Sequence, residues 1–133
     1  MLRASWLRTR DAVRGDRLPK RGDELPAEAR IGVAELREIH AVSESTWGPY
    51  APHAALPVIA LSHFWRTKEH PDPDGETLDL VVGYLEQMWS EWQAKKVTDL
   101  GLIVDWCALH QAPRTPEQDE AFKAGLKGIN QWC

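Results

Sequence analysis

The chain has 133 residues, of which 43% are hydrophobic and 27% are charged, and its formal net charge is −4 at pH 7. This length suits one folded domain with one core, and the composition is that of a globular protein rather than a disordered one. The acidic balance argues against nucleic acid as the main partner, because phosphate binding requires a concentrated positive surface.

Residues 1–30 are predicted to form a mobile basic leader. The first 22 residues contain seven Arg and Lys residues against two aspartates, and they lack the apolar region of a secretion signal. An organelle transit sequence is the alternative for such an Arg-rich start. No apolar run reaches the roughly 20 residues of a membrane-spanning helix. Because Cys107 and Cys133 show no disulfide spacing, we expect a cytoplasmic protein.

The domain itself is predicted to cover residues 31–133. Its first element, VAELREIHAV from Val33 to Val42, has apolar residues at helical spacing, which predicts a short amphipathic helix that caps a sheet. A segment rich in Pro and Gly follows and is predicted to be irregular. The run VIALSHFW, from Val58 to Trp65, is then typical of a strand that is covered on both faces.

The following turn leads into the most regular predicted element. Asp74 is expected to cap a helix over Thr77 to Trp92, in which apolar residues recur at intervals of three and four. The residues predicted to pack on the sheet are Leu78, Val82, Leu85 and Trp89. LGLIVDWCAL, from Leu100 to Leu109, is a second apolar strand. Strand, helix and strand in this order predict two adjacent parallel strands.

The last predicted helix begins at Thr115-Pro116-Glu117-Gln118, which offers a capping threonine, a proline at the first helical position and a glutamine three residues after the cap. Its inward residues are predicted to be Phe122, Leu126, Ile129 and Cys133. The sequence therefore predicts an α/β fold with a small parallel sheet and flanking helices. Since two strands are too few for a stable sheet of this kind, either a third strand lies in the irregular region or the domain is incomplete.

Polar and aromatic side chains follow both predicted strands at their carboxyl ends, where parallel α/β sheets bind ligands. The candidates are Ser62, His63 and Trp65 after the first strand, and Asp105, Trp106, Cys107 and His110 after the second. We expect Ser62 and Asp105 to lie close together, and we expect backbone N–H groups or the Ser62 hydroxyl to anchor the Asp105 carboxylate. The alternative for these two residues is that they only cap the turns after the strands.

Cys107 allows several interpretations. With His110 it forms a C-x-x-H pair, and with His63 and Asp105 this pair could bind zinc, but a second close pair is missing and we assign no metal site. Cys107 and a histidine could instead form a nucleophile and its base, or Cys107 could be a small buried hydrophobic residue. The sequence contains no glycine-rich phosphate loop, and we predict no cofactor.

Three segments resemble the heterokaryon-incompatibility (HET) domain. VIALSHFW resembles the family's "ALSYxWG" strand, and LGLIVDWCALHQ resembles its "LWIDxxCINQ" strand, with Asp105, Cys107 and Gln111 on the D-x-C-x-x-x-Q pattern. PEQDEAFKAGLKGINQWC resembles the third block, with Glu120 on its glutamate and Ile129 on its methionine. The resemblance covers about residues 56–133, and it implies that the domain is incomplete at its C-terminal end.

The resemblance implies a partial domain of TIR or flavodoxin type that signals in self-defence or programmed cell death, through self-assembly or protein partners. TIR domains are relatives of this family, and some cleave nicotinamide from NAD with a glutamate. By that analogy, the crevice of Ser62, His63, Asp105 and Gln111 would bind a nucleotide, with NAD as a possible substrate. Glu120 would be the catalytic carboxylate, provided that its helix places it at the crevice, since a carboxylate stabilises an oxocarbenium-like cation.

Two further interpretations stay open. The helix dipole alone favours acidic residues in the first turns of a helix, which gives Glu120 a structural explanation. A metal-dependent or cysteine-dependent hydrolase on the same α/β sheet is the third functional hypothesis. A Glu120 that points into solvent would favour a binding module over an enzyme.

Overall fold

Three short strands form one mixed sheet in the order β1–β3–β2. The computed structural model describes residues 1–9, 17–47, 56–61 and 65–129. Within them the elements are β1 (Leu2–Arg3), α1 (Ala4–Arg8), a 3-10 turn (Ala27–Ala29), α2 (Val33–Trp47), β2 (Val58–Leu61), α3 (Glu76–Ala94), β3 (Gly101–Val104), α4 (Asp105–Ala108) and α5 (Pro116–Ile129).

β2 and β3 are adjacent and parallel, which confirms the predicted strand pair. The register runs from Val58 opposite Gly101 to Leu61 opposite Val104. β3 is shorter than predicted, because the chain turns into α4 at Asp105. Residues 62–64, the predicted continuation of β2, lie outside the described residues.

Gly101 allows the chain to pack closely at the start of β3. A Cβ atom at this position would lie 3.1 Å from the Met1 sulfur and 3.2 Å from Leu36 Cδ1. Leu36 is buried and belongs to α2, so α2 covers the sheet as the sequence predicted.

The third strand comes from the N-terminus, which corrects two predictions. β1 pairs antiparallel with β3, with Leu2 opposite Leu102, so the sheet is mixed rather than parallel. The interpretation of residues 1–30 as a mobile leader is also wrong where these residues are described. Leu2, Leu7 and Leu18 are buried in the core. The many arginines of this segment indicated an exposed leader, although the apolar residues between them pack against the rest of the domain.

α3 forms the predicted amphipathic helix over the sheet. Its buried residues are Thr77, Leu78, Val81, Val82, Leu85 and Trp92. Trp89 is only partly buried, and the Arg8 guanidinium lies 4.2 Å from the centre of its ring. Leu80 and Tyr84, on the same helix, are 73% and 50% exposed. The buried stripe is therefore confirmed, and a second apolar stripe on α3 faces outward.

Asp72, and not Asp74, caps α3. The buried Asp72 carboxylate accepts hydrogen bonds from the backbone N–H of Thr77 at 2.8 Å and of Leu78 at 3.1 Å. Gly75 directly precedes the helix with a φ of 74°, a conformation that glycine adopts without strain. Because of this turn, Asp72 lies further from the start of the helix in the sequence than a usual N-cap residue does. The sequence pattern therefore indicated Asp74, which is closer to the helix.

The start of α5 is confirmed, but its predicted inward stripe is wrong at Leu126. The Gln118 backbone N–H donates to Thr115 Oγ1 at 3.3 Å, and the Thr115 N–H donates to Gln118 Oε1 at 3.1 Å, which forms a capping box. Leu126 is 40% exposed, whereas Phe122 is half-buried beneath the Arg114 guanidinium. The Ile129 side chain and Cys133 lie outside the described residues. Among the residues described, no helix has the length and apolarity that crossing a membrane requires.

Candidate functional site

Trp65 and Asp105 meet at the carboxyl ends of β2 and β3. The Trp65 indole N–H donates to Asp105 Oδ2 at 3.3 Å, and the Trp106 backbone N–H donates to Oδ1 at 2.6 Å. The predicted anchoring of Asp105 by a backbone N–H is thus confirmed, with an indole as the second donor. Ser62 and His63 lie outside the described residues, so their place beside Asp105 stays a prediction.

Aromatic rings pack below this carboxylate. Trp65 is 38% exposed and meets the buried Trp106 edge to face, with ring centres 5.1 Å apart. Trp106 in turn contacts the His70 ring at 4.8 Å and donates its indole N–H to the Leu18 carbonyl at 3.2 Å. Trp106 therefore holds together the N-terminal segment, the loop before α3 and the strand ends, while Trp65 keeps one part of its ring accessible.

His70 has the environment of a neutral imidazole. Its Nδ1 accepts a hydrogen bond from the Asp72 backbone N–H at 2.9 Å, which requires an unprotonated nitrogen. Burial, and next the nearby Arg17, hold the pKa of His70 below its usual value. The sequence analysis did not single out His70, because its role depends on a contact with Trp106 that is far away in the chain.

Gln111 lies at the same strand ends but turns its amide toward the backbone. Its Nε2 donates to the Leu109 carbonyl at 3.0 Å and to the Asp105 carbonyl at 3.5 Å. These bonds stabilise the turn after α4. Trp65, Asp105 and Gln111 together form what we call the strand-end crevice.

Two arginines surround the neighbouring His110. Arg21 donates from Nε to His110 Nε2 at 3.1 Å, and Arg114 donates from Nε to the His110 carbonyl at 2.6 Å. Desolvation, and then these two cations, lower the pKa of His110. The ring is thus a neutral acceptor for Arg21.

Cys107 is buried, and its chemistry is that of a structural residue. Burial, followed by the negative charge of Asp105 and Asp23, raises the pKa of the Cys107 thiol to about 12. The thiol therefore stays protonated, whereas a cysteine nucleophile requires a thiolate. Among the four described stretches of the chain, no group of three His, Cys, Asp or Glu residues could hold a metal ion. His63, part of the hypothetical zinc set, lies outside them.

Glu120 is exposed on α5. Its side chain forms no hydrogen bond or ion pair with any other described residue. Hydrogen bonds link Asp105 with Trp65 and with Gln111, and no described hydrogen bond links Glu120 to them. A catalytic role for Glu120 stays a prediction.

A second region was missed by sequence reasoning, and it lies on the other side of α3. There the outer edge of β2 pairs with no described strand. Ile59 and Leu61 of β2, with Leu80, Val81 and Tyr84 of α3, line an apolar cavity of about 510 Å³ beside this edge. We call the β2 edge together with the exposed Leu80 and Tyr84 the open edge. The wide apolar surface of α3, with leucine and tyrosine outside the buried stripe, was its signal in the sequence.

Comparison with known proteins finds no match for this chain. No family model, no curated protein and no solved structure matches it.

Proposed function

We propose that the chain is a HET-like signalling module of self-defence or programmed cell death, which acts through self-assembly or through a protein partner. In this proposal the mixed sheet and its helices are part of a domain of TIR or flavodoxin type. The observation that carries the proposal is the open edge, where the outer side of β2 pairs with no described strand and lies beside exposed apolar side chains of α3.

The backbone of β2 is suited to pairing with a further strand. The Gly101 N–H donates to the Pro57 carbonyl at 2.9 Å, and backbone groups in a parallel pair alternate between the two sides of a strand. The N–H and C=O of Ala60 therefore point away from β3. Ala60 is exposed, and β2 contains none of the charged residues or prolines that protect the edge strands of many sheets. Such an edge favours strand addition.

The side chains next to this edge favour a protein partner. Leu80 and Tyr84 are the two most exposed apolar residues of α3, and an apolar surface of this kind on a domain marks an interaction site. A partner strand paired with β2 would cover both side chains. Strand pairing would supply affinity through the backbone, and the contacts with Leu80 and Tyr84 would supply specificity.

Sedimentation of the full chain over a wide concentration range tests self-assembly. We expect concentration-dependent association that is lost in Ala60→Pro, which removes the outward N–H, and in Leu80→Lys, which places a charge at the edge. Val42→Lys is the matched control, because Val42 is also apolar and is 53% exposed, but it lies on α2. Equal sedimentation of wild type and both edge variants would contradict self-assembly through β2.

A TIR-like NAD-cleaving activity is the second candidate, and the strand-end crevice is the observation that favours it. Trp65 offers an accessible ring on which a base can stack, next to the Asp105 carboxylate. The exposed position of Glu120 places this candidate behind the first. Incubation with NAD tests it: nicotinamide release that disappears in Glu120→Gln would support the analogy, and absence of release would exclude the activity.

A further inference from the structure

The apolar cavity beside α3 has the size and shape of a small-molecule site. Its volume of about 510 Å³ lies within the range of roughly 300 to 1,000 Å³ that is typical of ligand pockets. Leu102 and Leu85, both buried, lie at its floor, and Ile59 forms part of its sheet side. The exposed Leu80 stands at its rim. Most of the wall is therefore aliphatic, which suits a hydrocarbon body.

The polar residues of the cavity lie at one end. Among the described residues that line the cavity only Arg66 is charged, and it hydrogen-bonds through Nη1 to Glu76, the first residue of α3. Thr77, the next residue, also lines the cavity. The N-terminus of α3 thus lies beside Arg66, but its Thr77 and Leu78 N–H groups already bind the Asp72 carboxylate, so the Arg66 guanidinium is the positive group at this end. One end of the cavity attracts an anion, and the remainder is apolar.

We propose that this cavity binds a small amphiphilic carboxylate, with its hydrocarbon body between α3 and the sheet and its carboxylate on Arg66. A planar guanidinium presents five N–H donors and matches a carboxylate in a two-point contact. Within the described residues only Nη1 has a side-chain partner, so Nε and Nη2 can receive a second carboxylate. This ligand site goes beyond the protein contacts proposed above, but it shares Leu80 and Tyr84 with the open edge.

Glu76 is the competitor for the same guanidinium. The side chain of Glu76 is 61% exposed and that of Arg66 is 36% exposed, so their ion pair is a surface pair that contributes little to stability. A ligand carboxylate on Nε and Nη2 would lie beside the Glu76 carboxylate on Nη1, and the two negative charges would repel each other. Removal of the Glu76 charge should strengthen carboxylate binding, which a purely apolar pocket would not show.

Titration of the full chain with octanoate and, separately, with 1-octanol tests the proposal by calorimetry and by shifts of the methyl resonances of Val81 and Leu85. We expect octanoate to bind more tightly than octanol. Arg66→Gln should weaken octanoate binding about tenfold, the effect of losing one charged hydrogen bond, and leave octanol binding unchanged. Glu76→Gln should strengthen octanoate binding.

Two controls make the result decisive. Glu91→Gln removes a carboxylate from a similar exposed ion pair, with Lys95, at the far end of α3, and it should change neither titration. Leu80→Asp should weaken binding of both ligands. If octanoate and octanol bind equally, or if Glu76→Gln behaves as Glu91→Gln does, the carboxylate site is wrong. If neither ligand binds, the cavity is not a ligand site, whereas the sedimentation test of the open edge is unaffected.

Discussion

The two edges of the sheet are built in opposite ways. On one side, β1 is covered by the segment that follows the 3-10 turn, since Leu2 bridges Arg30 and the Ile31 N–H donates to the Met1 carbonyl at 3.1 Å. On the other side, β2 faces no described strand. We call the first side the closed edge. Within the described residues, the outer side of the shortest strand, β1, is covered, whereas the outer side of the apolar strand β2 is accessible.

Charge holds the closed edge in place. Arg3 donates to both Glu35 oxygens at 2.7 Å and to Asp99 Oδ2 at 3.0 Å, and Asp99 also accepts from the backbone and the hydroxyl of Ser5. The hydrogen bond with Glu35 is the largest cause that raises the pKa of Arg3. At the open edge the described contacts are apolar. One edge is therefore fixed by long-range ion pairs, and the other is available for association.

The largest effect is expected at Asp99. Asp99→Ala should lower the free energy of unfolding by about 3 kcal/mol, because it leaves Arg3 without one partner and the backbone N–H groups of Ser5 and Leu100 without an acceptor in a largely buried place. Urea unfolding measures this loss. Glu86→Ala, an exposed carboxylate on α3, is the control, and a loss below about 1 kcal/mol at Asp99 would show that the network is not what closes the edge.

A smaller loss of stability is expected at the Asp72 cap of α3, the helix beside the open edge. The hydrogen bonds of this cap join residues that are close in sequence. Asp72→Ala should cost about 2 kcal/mol, because two helix N–H groups lose their acceptor in a buried position. Asp74→Ala provides the matched control two residues away, since Asp74 is exposed and should change stability by less than about 0.5 kcal/mol. Equal losses in the two variants would contradict the capping assignment.

The ion pair of the closed edge should also be visible in the pH dependence of stability. Arg3 holds the pKa of Glu35 below its usual value of about 4.5, so the unfolded chain binds this proton more readily than the folded chain. The stabilisation is present above pH 4.5 and is lost as the pH falls through the lower pKa of the folded state.

Glu35→Gln measures this contribution. We expect wild type to be more stable than the variant by no more than about 1 kcal/mol at pH 7, because the Glu35 side chain is 44% exposed and screened by solvent. The difference should vanish in strong acid and decrease with added salt. A difference that is independent of pH would assign the effect to packing instead of charge.

The smallest effect on stability is expected at the open edge. Leu80→Lys should change the free energy of unfolding by less than about 0.5 kcal/mol, because Leu80 is 73% exposed in the isolated chain. The same variant should reduce association in sedimentation. A large loss of stability at high dilution would show that Leu80 packs against other residues of its own chain. The two edges would then not differ in the way described here.

Sequence reasoning predicted the parts of the fold that local patterns determine. The parallel pair of β2 and β3, the helix α3 and the capping box at Thr115 each follow from apolar spacing or from residues within one turn. For the candidate site, the same reasoning indicated that side chains at the ends of β2 and β3 would meet. Trp65 and Asp105 do so across 40 residues of sequence.

The remaining features depend on contacts that local patterns do not reveal. β1 has only two residues, and its partner strand lies almost a hundred residues later in the chain. Asp72 caps α3 from outside the usual capping position, because Gly75 turns the chain between them. The Cys107 thiol stays protonated because it is buried, and a C-x-x-H spacing in the sequence does not show burial. Long-range packing decided the cases of β1 and Cys107, whereas an unusual local turn at Gly75 decided that of Asp72.

The central position of β3 has a consequence for the order of folding. Leu2 pairs with Leu102, and the Ala4 N–H donates to the Leu100 carbonyl, so the first residues of the chain join the sheet only when residues near 100 are present. During synthesis Trp6 and Leu7 are made early, and they stay uncovered until nearly the whole domain has been made. Contacts of such large sequence separation slow folding. A nascent chain therefore exposes the apolar segment around Trp6 and Leu7 until β3 has emerged, and exposed surface of this kind is what chaperones protect from aggregation.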